Sequence, residues 1–106
     1  MASRFATHSR ALTTAVLLAA VTMTIAAPLP DAGWRAYQKR DYPAALADFE
    51  QRARDGDRVA QFNLAMMLMR GEGGATDVAG GLAWLQRSAD AGLAQAQYNL
   101  GLFAVA

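Results

Sequence analysis

The fold is decided by one stretch, DYPAALADFEQRARDGDRVAQFNLAMM at residues 41–67, which recurs without a gap as DVAGGLAWLQRSADAGLAQAQYNLGLF at residues 77–103. The two copies lie 36 residues apart. A repeat of this length indicates a supersecondary unit that cannot bury its apolar face alone and must pack against its neighbours. The identical pairs are Asp41/Asp77, Leu46/Leu82, Ala47/Ala83, Ala53/Ala89, Gly56/Gly92, Ala60/Ala96, Gln61/Gln97, Asn63/Asn99 and Leu64/Leu100.

Capping residues and glycines divide this region into helices. Aspartates can cap helix N-termini, and Gly56 and Gly92 stand where a left-handed C-terminal residue is favoured. The predicted helices run from Asp31 to about Arg40, Asp41 to Gly56, Asp57 to Met69, Asp77 to Gly92, and from about Ala94 to the end of the chain. A glycine-rich loop at residues 71–74 precedes the fourth helix. Short connections make successive helices antiparallel, so the predicted fold class is all-α, a right-handed stack of αα-hairpins.

The N-terminus has the pattern of a secretory signal peptide. Arg4 and Arg10 precede a run, residues 11–27, that carries no charge. Thr24 and Ala26 supply the small residues of a cleavage site. We therefore expect cleavage after Ala26.

Cleavage at this point divides the chain into three parts: a signal peptide at residues 1–26, a linker at 27–31 and a repeat domain at 32–106. The alternative is an uncleaved membrane anchor, because a run of 17 uncharged residues falls just short of the usual spanning length. The chain has no cysteine, so a lipid-anchored leader and disulfide bonds are both excluded. We expect a periplasmic or secreted protein that contacts a membrane only if the leader is kept.

The charge of the chain argues against nucleic acid as a partner. Without residues 1–26, eight basic and nine acidic residues remain, for a net charge of −1. No cluster of Lys and Arg is left to neutralise phosphates. At this size the stability of the single domain must come from helix packing.

Several quoted segments together resemble a known repeat family. The second copy and its loop carry GEGGATD at 71–77, LAW at 82–84, ADAG at 89–92 and AQYNLG at 96–101, and the first copy carries AQFNLA at 60–65. These segments resemble the Sel-one-like repeat, a branch of the tetratricopeptide superfamily with a longer loop inside the hairpin. Asp41 and Tyr42, with Ala45, Leu46 and Phe49, resemble an ordinary tetratricopeptide hairpin. The resemblance implies a solenoid of about two and a half repeats.

The resemblance also implies a function and a surface. Such repeats are scaffolds for protein interaction, and the first helix of each hairpin lines the concave face. The candidate partner-binding residues are then Trp34, Tyr37, Phe62, Met66, Met69, Tyr98 and Leu102. Aromatic and Met side chains in a groove suit adaptable recognition of a peptide or helix, although ordinary packing between repeats is the alternative. Asn63 and Asn99 are expected to bond to loop backbone.

Two departures from the family pattern matter. Gly80 and Gly81 replace helix-forming residues, so the fourth helix is expected to be the softest element. The fifth helix presents apolar residues in the segment 100–105, with no polar cap behind it. We expect that the sequence continues beyond Ala106 in a longer protein; otherwise this end is covered by another molecule, with self-association through residues 100–105 as one form.

The residue inventory argues against catalysis within this chain. The only histidine is His8, in the leader, and the rest of the chain offers one serine, Ser88, and one threonine, Thr76. A nucleophile–base–acid triad cannot be assembled from these, and no cofactor or metal motif is present. We therefore expect an interaction scaffold and no enzyme. The alternatives are the repeat region of an envelope enzyme whose catalytic part lies beyond residue 106, or a membrane-anchored structural protein.

Overall fold

The computed structural model describes residues 31–105, which form five α-helices and no strand. The helices are α1 (Ala32–Gln38), α2 (Tyr42–Arg54), α3 (Arg58–Arg70), α4 (Val78–Asp90) and α5 (Ala94–Ala104). The predicted all-α class and helix positions are confirmed. The expected signal peptide, most of the linker and Ala106 lie outside the described residues. Each helix packs against the next one in the chain, and the contact between α3 and α4 is the most extensive.

Aspartate side chains begin three of the five helices. Asp41 accepts a hydrogen bond from the Ala44 amide at 3.3 Å, and Asp77 accepts one from the Gly80 amide at 2.8 Å. Asp57 accepts from two amides in the first turn of α3, at 2.9 and 3.2 Å. The predicted cap at Asp31 is wrong: its carboxylate makes no capping bond and pairs with the Arg35 guanidinium one turn later, at 2.8 Å.

The ends of α2 and α4 carry the same hydrogen bonds. In α2, the Ala53 carbonyl accepts from the Gly56 amide at 3.1 Å and from Gln61 Nε2 at 3.1 Å. At the end of α4, the Ala89 carbonyl accepts the two equivalent bonds at 2.9 and 3.1 Å. In both places, a glutamine at the start of the next helix thus donates to a carbonyl in the last turn of the preceding helix. The last carbonyls of a helix have no donor within the helix itself. This arrangement explains why glycine and glutamine recur 36 residues apart in the sequence.

Two clusters of buried side chains form the core, and α3 contributes to both. The first cluster joins α2 and α3 and consists of Ala45, Phe49, Ala53, Ala60, Leu64 and Met67. The second joins α3, α4 and α5 and consists of Ala65, Leu85, Ala89 and Ala96. Alanine supplies three of the six residues in the first cluster and three of the four in the second, so the helix axes can approach closely. The third helix is therefore the central element of the described domain.

Gly81 of α4 lies directly against α3. A Cβ placed on it would lie 2.9 Å from the Ala65 carbonyl oxygen and would also collide with Met69 Cγ. Gly81 is itself buried, and its missing side chain is what permits this approach. The expectation that glycine here only softens the helix therefore overlooked its role in packing.

Candidate binding groove

Two adjoining cavities form a groove across α1, α2 and α3. The first has a volume of about 270 Å³ and the second about 330 Å³. Trp34, Phe49 and Asn63 line both cavities, and this shared wall joins them into one groove. The other residues of the first cavity are Tyr37, Phe62, Met66, Met67, Arg70, Glu72 and Asn99, and those of the second are Asp31, Arg52, Asp57, Val59 and Ala60.

The seven residues predicted for the concave face do not all meet in this groove. Tyr98 and Leu102 lie on α5, are 69% and 49% exposed, and line neither cavity. Met69 packs with the second core cluster, beside Gly81. The four that line the first cavity are Trp34, Tyr37, Phe62 and Met66.

Aromatic rings form one wall of the groove. The Trp34 and Tyr37 rings are stacked, with centroids 5.6 Å apart and an angle of 4° between their planes. The Tyr42 ring, which lines neither cavity, contacts Tyr37 from α2, with centroids 5.1 Å apart and an angle of 50° between the ring planes. Contacts of this kind restrict ring rotation. The wall therefore presents a largely pre-oriented apolar surface.

A hydrogen bond connects the aromatic wall of the groove to the loop that precedes α4. The Tyr37 hydroxyl donates to the two carboxylate oxygens of Glu72, at 2.9 and 3.1 Å. This bond favours the neutral phenol and, with partial burial and the nearby negative charge, raises the pKa of Tyr37 above its ordinary value. Arg70 Nη1 lies 3.9 Å from Glu72 Oε1. Sequence patterns did not identify Glu72, because a single acid in a glycine-rich loop has no periodicity to mark it.

The two repeated asparagines behave differently from each other and from the prediction. Asn99 Nδ2 donates to the Gln95 carbonyl of its own helix at 2.7 Å, not to a loop. Asn63 has no hydrogen-bond partner anywhere in residues 31–105. The prediction that both bond to loop backbone is therefore wrong. Asn63 lines both cavities.

The charged groups of the groove are mostly engaged within the chain. Arg52 pairs with Asp48 at 2.8 Å, Asp31 pairs with Arg35, and Asp57 caps α3. Over residues 31–105 there is no group of three or more His, Asp or Glu side chains placed to hold a metal ion. Within the same range, no helix has the length and apolarity needed to cross a bilayer.

The groove thus combines aromatic and Met side chains, paired charges and the amide of Asn63, which has no hydrogen-bond partner among the described residues. Comparisons with protein families, with curated proteins and with solved structures find no match to this chain.

Proposed function

We propose that this chain is an exported protein-interaction scaffold that binds a segment of another protein in the groove. Its architecture would be a right-handed αα-hairpin solenoid of about two and a half Sel-one-like repeats. The 36-residue sequence repeat, the recurring glycine and glutamine hydrogen bonds, and the packing of each helix on the next support this architecture. The basic and apolar leader at residues 1–26 supports a periplasmic or secreted location.

The composition of the groove is the observation that carries the proposed function. Trp34 is half exposed and stacked on Tyr37, and Phe62 and Met66 extend the same apolar wall on α3. Aromatic residues supply large contact areas at low entropic cost, and Met adapts to the shape of a partner. Each cavity lies close to or within the size range of pockets that enclose a ligand side chain or small group. A peptide segment could place successive side chains in the two cavities.

Peptide binding is expected to depend on Trp34. Peptides of about 12 residues would be selected from a phage library on the purified protein and their affinities measured by fluorescence polarisation. Trp34→Ala is expected to weaken the selected peptides at least tenfold, about 1.4 kcal/mol, because buried Trp is the commonest hot-spot residue. Val78→Ala is the matched control, since Val78 and Trp34 are both 50% exposed, but Val78 lies at the start of α4, outside the groove. Failure to select any peptide, or equal losses in both variants, would refute the proposal.

A second surface on α5 supports self-association. Leu102, Phe103 and Val105 are 49%, 48% and 83% exposed, and α5 contains no charged residue. We propose that residues 100–105 pair with a second copy of the chain, because exposed apolar patches of this kind favour association.

Light scattering over a dilution series tests this association. The unmutated protein is expected to lose apparent mass on dilution, whereas Phe103→Glu is expected to be monomeric at every concentration. Burial of one Phe contributes about 1.5–3 kcal/mol, enough to shift a weak dimer strongly. Val78→Glu is the control, because Val78 is equally exposed, at 50%, but lies at the start of α4. A monodisperse, folded monomer of the unmutated protein at all concentrations would rule out this surface as an interface.

A further inference from the structure

Tyr98, Leu102 and Val105 line the exposed side of α5. They are 69%, 49% and 83% exposed, whereas Ala96, on the opposite side of the helix, is fully buried in the second core cluster. Residues spaced by three and four positions lie on one face of a helix. The spacing i, i+4 and i+7 is the pattern of anchors with which a helix binds in an apolar groove. Together these three residues form the α5 stripe.

The α5 stripe is too small to hold two copies together by pairing with itself. Even an aromatic side chain buries only about 150–250 Å². Three partly exposed side chains therefore fall well short of the roughly 800 Å² per partner that a stable interface buries. A concave surface that encloses them would add its own area. The groove is such a surface, because Trp34 is half exposed and Phe62 and Met66 are partly exposed beside it.

The charges of the groove are compatible with α5 as its occupant. Residues 91–105 contain no charged side chain. Beside the groove, Arg70 lies 3.9 Å from Glu72, which also accepts the Tyr37 hydroxyl. An uncharged helix would leave these interactions in place. The α5 stripe lines neither cavity of its own chain, so the groove that it meets belongs to another copy.

We propose that α5 of one copy binds in the groove of a second copy, with the α5 stripe against the aromatic wall. Tyr98 and Leu102 lie about 6 Å apart along the helix axis, so they would enter adjoining cavities. Each copy would give its helix to one neighbour and its groove to another, so association is open-ended or closes into a ring. A segment of another protein would have to displace α5. This inference rests on the proposed function of the groove and on the proposed self-association of residues 100–105.

Mixing two variants tests this head-to-tail contact by sedimentation equilibrium. Trp34→Ala removes part of the groove wall, and Leu102→Asp removes the centre of the α5 stripe. Each variant alone is expected to associate at least tenfold more weakly than the unmutated protein. An equimolar mixture is expected to form one-to-one heterodimers and nothing larger, because each pair has one intact groove and one intact helix. Val78→Glu is the control and should associate like the unmutated protein. Undiminished association of Trp34→Ala, or a monomeric mixture, would overturn the inference.

Cross-linking provides a second measurement that leaves Trp34 in place. The chain has no cysteine, so a short bismaleimide joins only introduced thiols. Met66→Cys places a thiol in the first cavity, and Leu102→Cys places one in the α5 stripe. A mixture of the two variants is expected to give at least fivefold more cross-linked dimer than Leu102→Cys alone. A yield from Leu102→Cys alone that equals that of the mixture would show that α5 pairs with α5, against the inference.

Peptide binding separates this inference from the proposed function. Peptides selected on the purified protein are expected to dissociate its oligomers, because they would occupy the same groove. Peptides that bind through Trp34 without lowering the apparent mass would overturn the binding of α5 in the groove and leave the groove as a site for other proteins. Peptide binding that does not depend on Trp34 would instead overturn the proposed function.

Discussion

Leu64→Asp is expected to prevent the protein from folding at neutral pH. Leu64 is only 1% exposed in the first core cluster, at the centre of α3. The substitution removes about 1.5–3 kcal/mol of apolar burial and places a carboxylate where it has no partner, which costs several kcal/mol more. A domain of this size has a free energy of unfolding of only about 5 kcal/mol. Far-ultraviolet circular dichroism should show loss of helix and of the cooperative thermal transition.

Leucines that differ from Leu64 in burial serve as comparisons for this expectation. Leu102→Asp introduces the same charge on α5, where the side chain is 49% exposed, and should retain a cooperative transition. Leu85, which is fully buried in α4, should be as sensitive as Leu64, and Leu82, which is only partly buried, should be less sensitive. An unchanged melt for Leu64→Asp would mean that α3 is not the centre of the core.

Gly81→Ala is expected to destabilise the protein although alanine is the better helix former. The added methyl group would meet the Ala65 carbonyl oxygen at 2.9 Å and collide with Met69, so α3 and α4 would have to separate. Overpacking of this kind costs about 1–3 kcal/mol, and the helix propensity gained, about 0.5–1 kcal/mol, offsets only part of it. Urea unfolding followed by circular dichroism measures the net change.

Gly101→Ala is the matched control for Gly81→Ala. Gly101 also lies inside a helix, but apart from its chain neighbours and the backbone of its own helix, no atom of the described residues lies within 4 Å of the position where its Cβ would be. The same substitution should therefore stabilise the protein, by about 0.5–1 kcal/mol. Opposite signs at the two sites are the expected result. Stabilisation at both sites would show that the contact between α3 and α4 can relax, and that Gly81 is a simple helix defect.

The repeated asparagines show which features of the groove the sequence repeat predicts and which it does not. Asn63 and Asn99 are identical residues 36 positions apart, and both line the first cavity. Their shared position predicted the same hydrogen bond for both. The structure shows that Asn99 bonds to the carbonyl one turn back, whereas Asn63 has no partner within the part of the chain that the structure describes, residues 31–105. The rotamer that an amide adopts depends on its neighbours in space, which a periodic sequence does not specify.

The contact between Tyr37 and Glu72 could not be predicted from the sequence pattern. They are 35 residues apart in the chain, one on α1 and one in the glycine-rich loop, and the Tyr37 hydroxyl bonds to both oxygens of Glu72. Resemblance to the repeat family placed Tyr37 on the concave face. No feature of the sequence placed Glu72 opposite it.

The sequence by itself determined the helices of this protein and their order. Asp41, Asp57 and Asp77 begin helices, and Gly56 and Gly92 end them, because these effects act over a few residues of the backbone. The 36-residue offset likewise predicted equivalent environments for the repeated residues, and the glutamine bonds to Ala53 and Ala89 follow it.

Only the tertiary structure decided which of these residues face the groove and what they contact there. Met69 was predicted to face a partner, but it packs beside Gly81, because the approach of α3 and α4 is set by the volumes of residues from both helices. Asp31 pairs with Arg35 and does not cap α1. Periodicity records which residues repeat, whereas packing between helices decides which of them remain available to a partner.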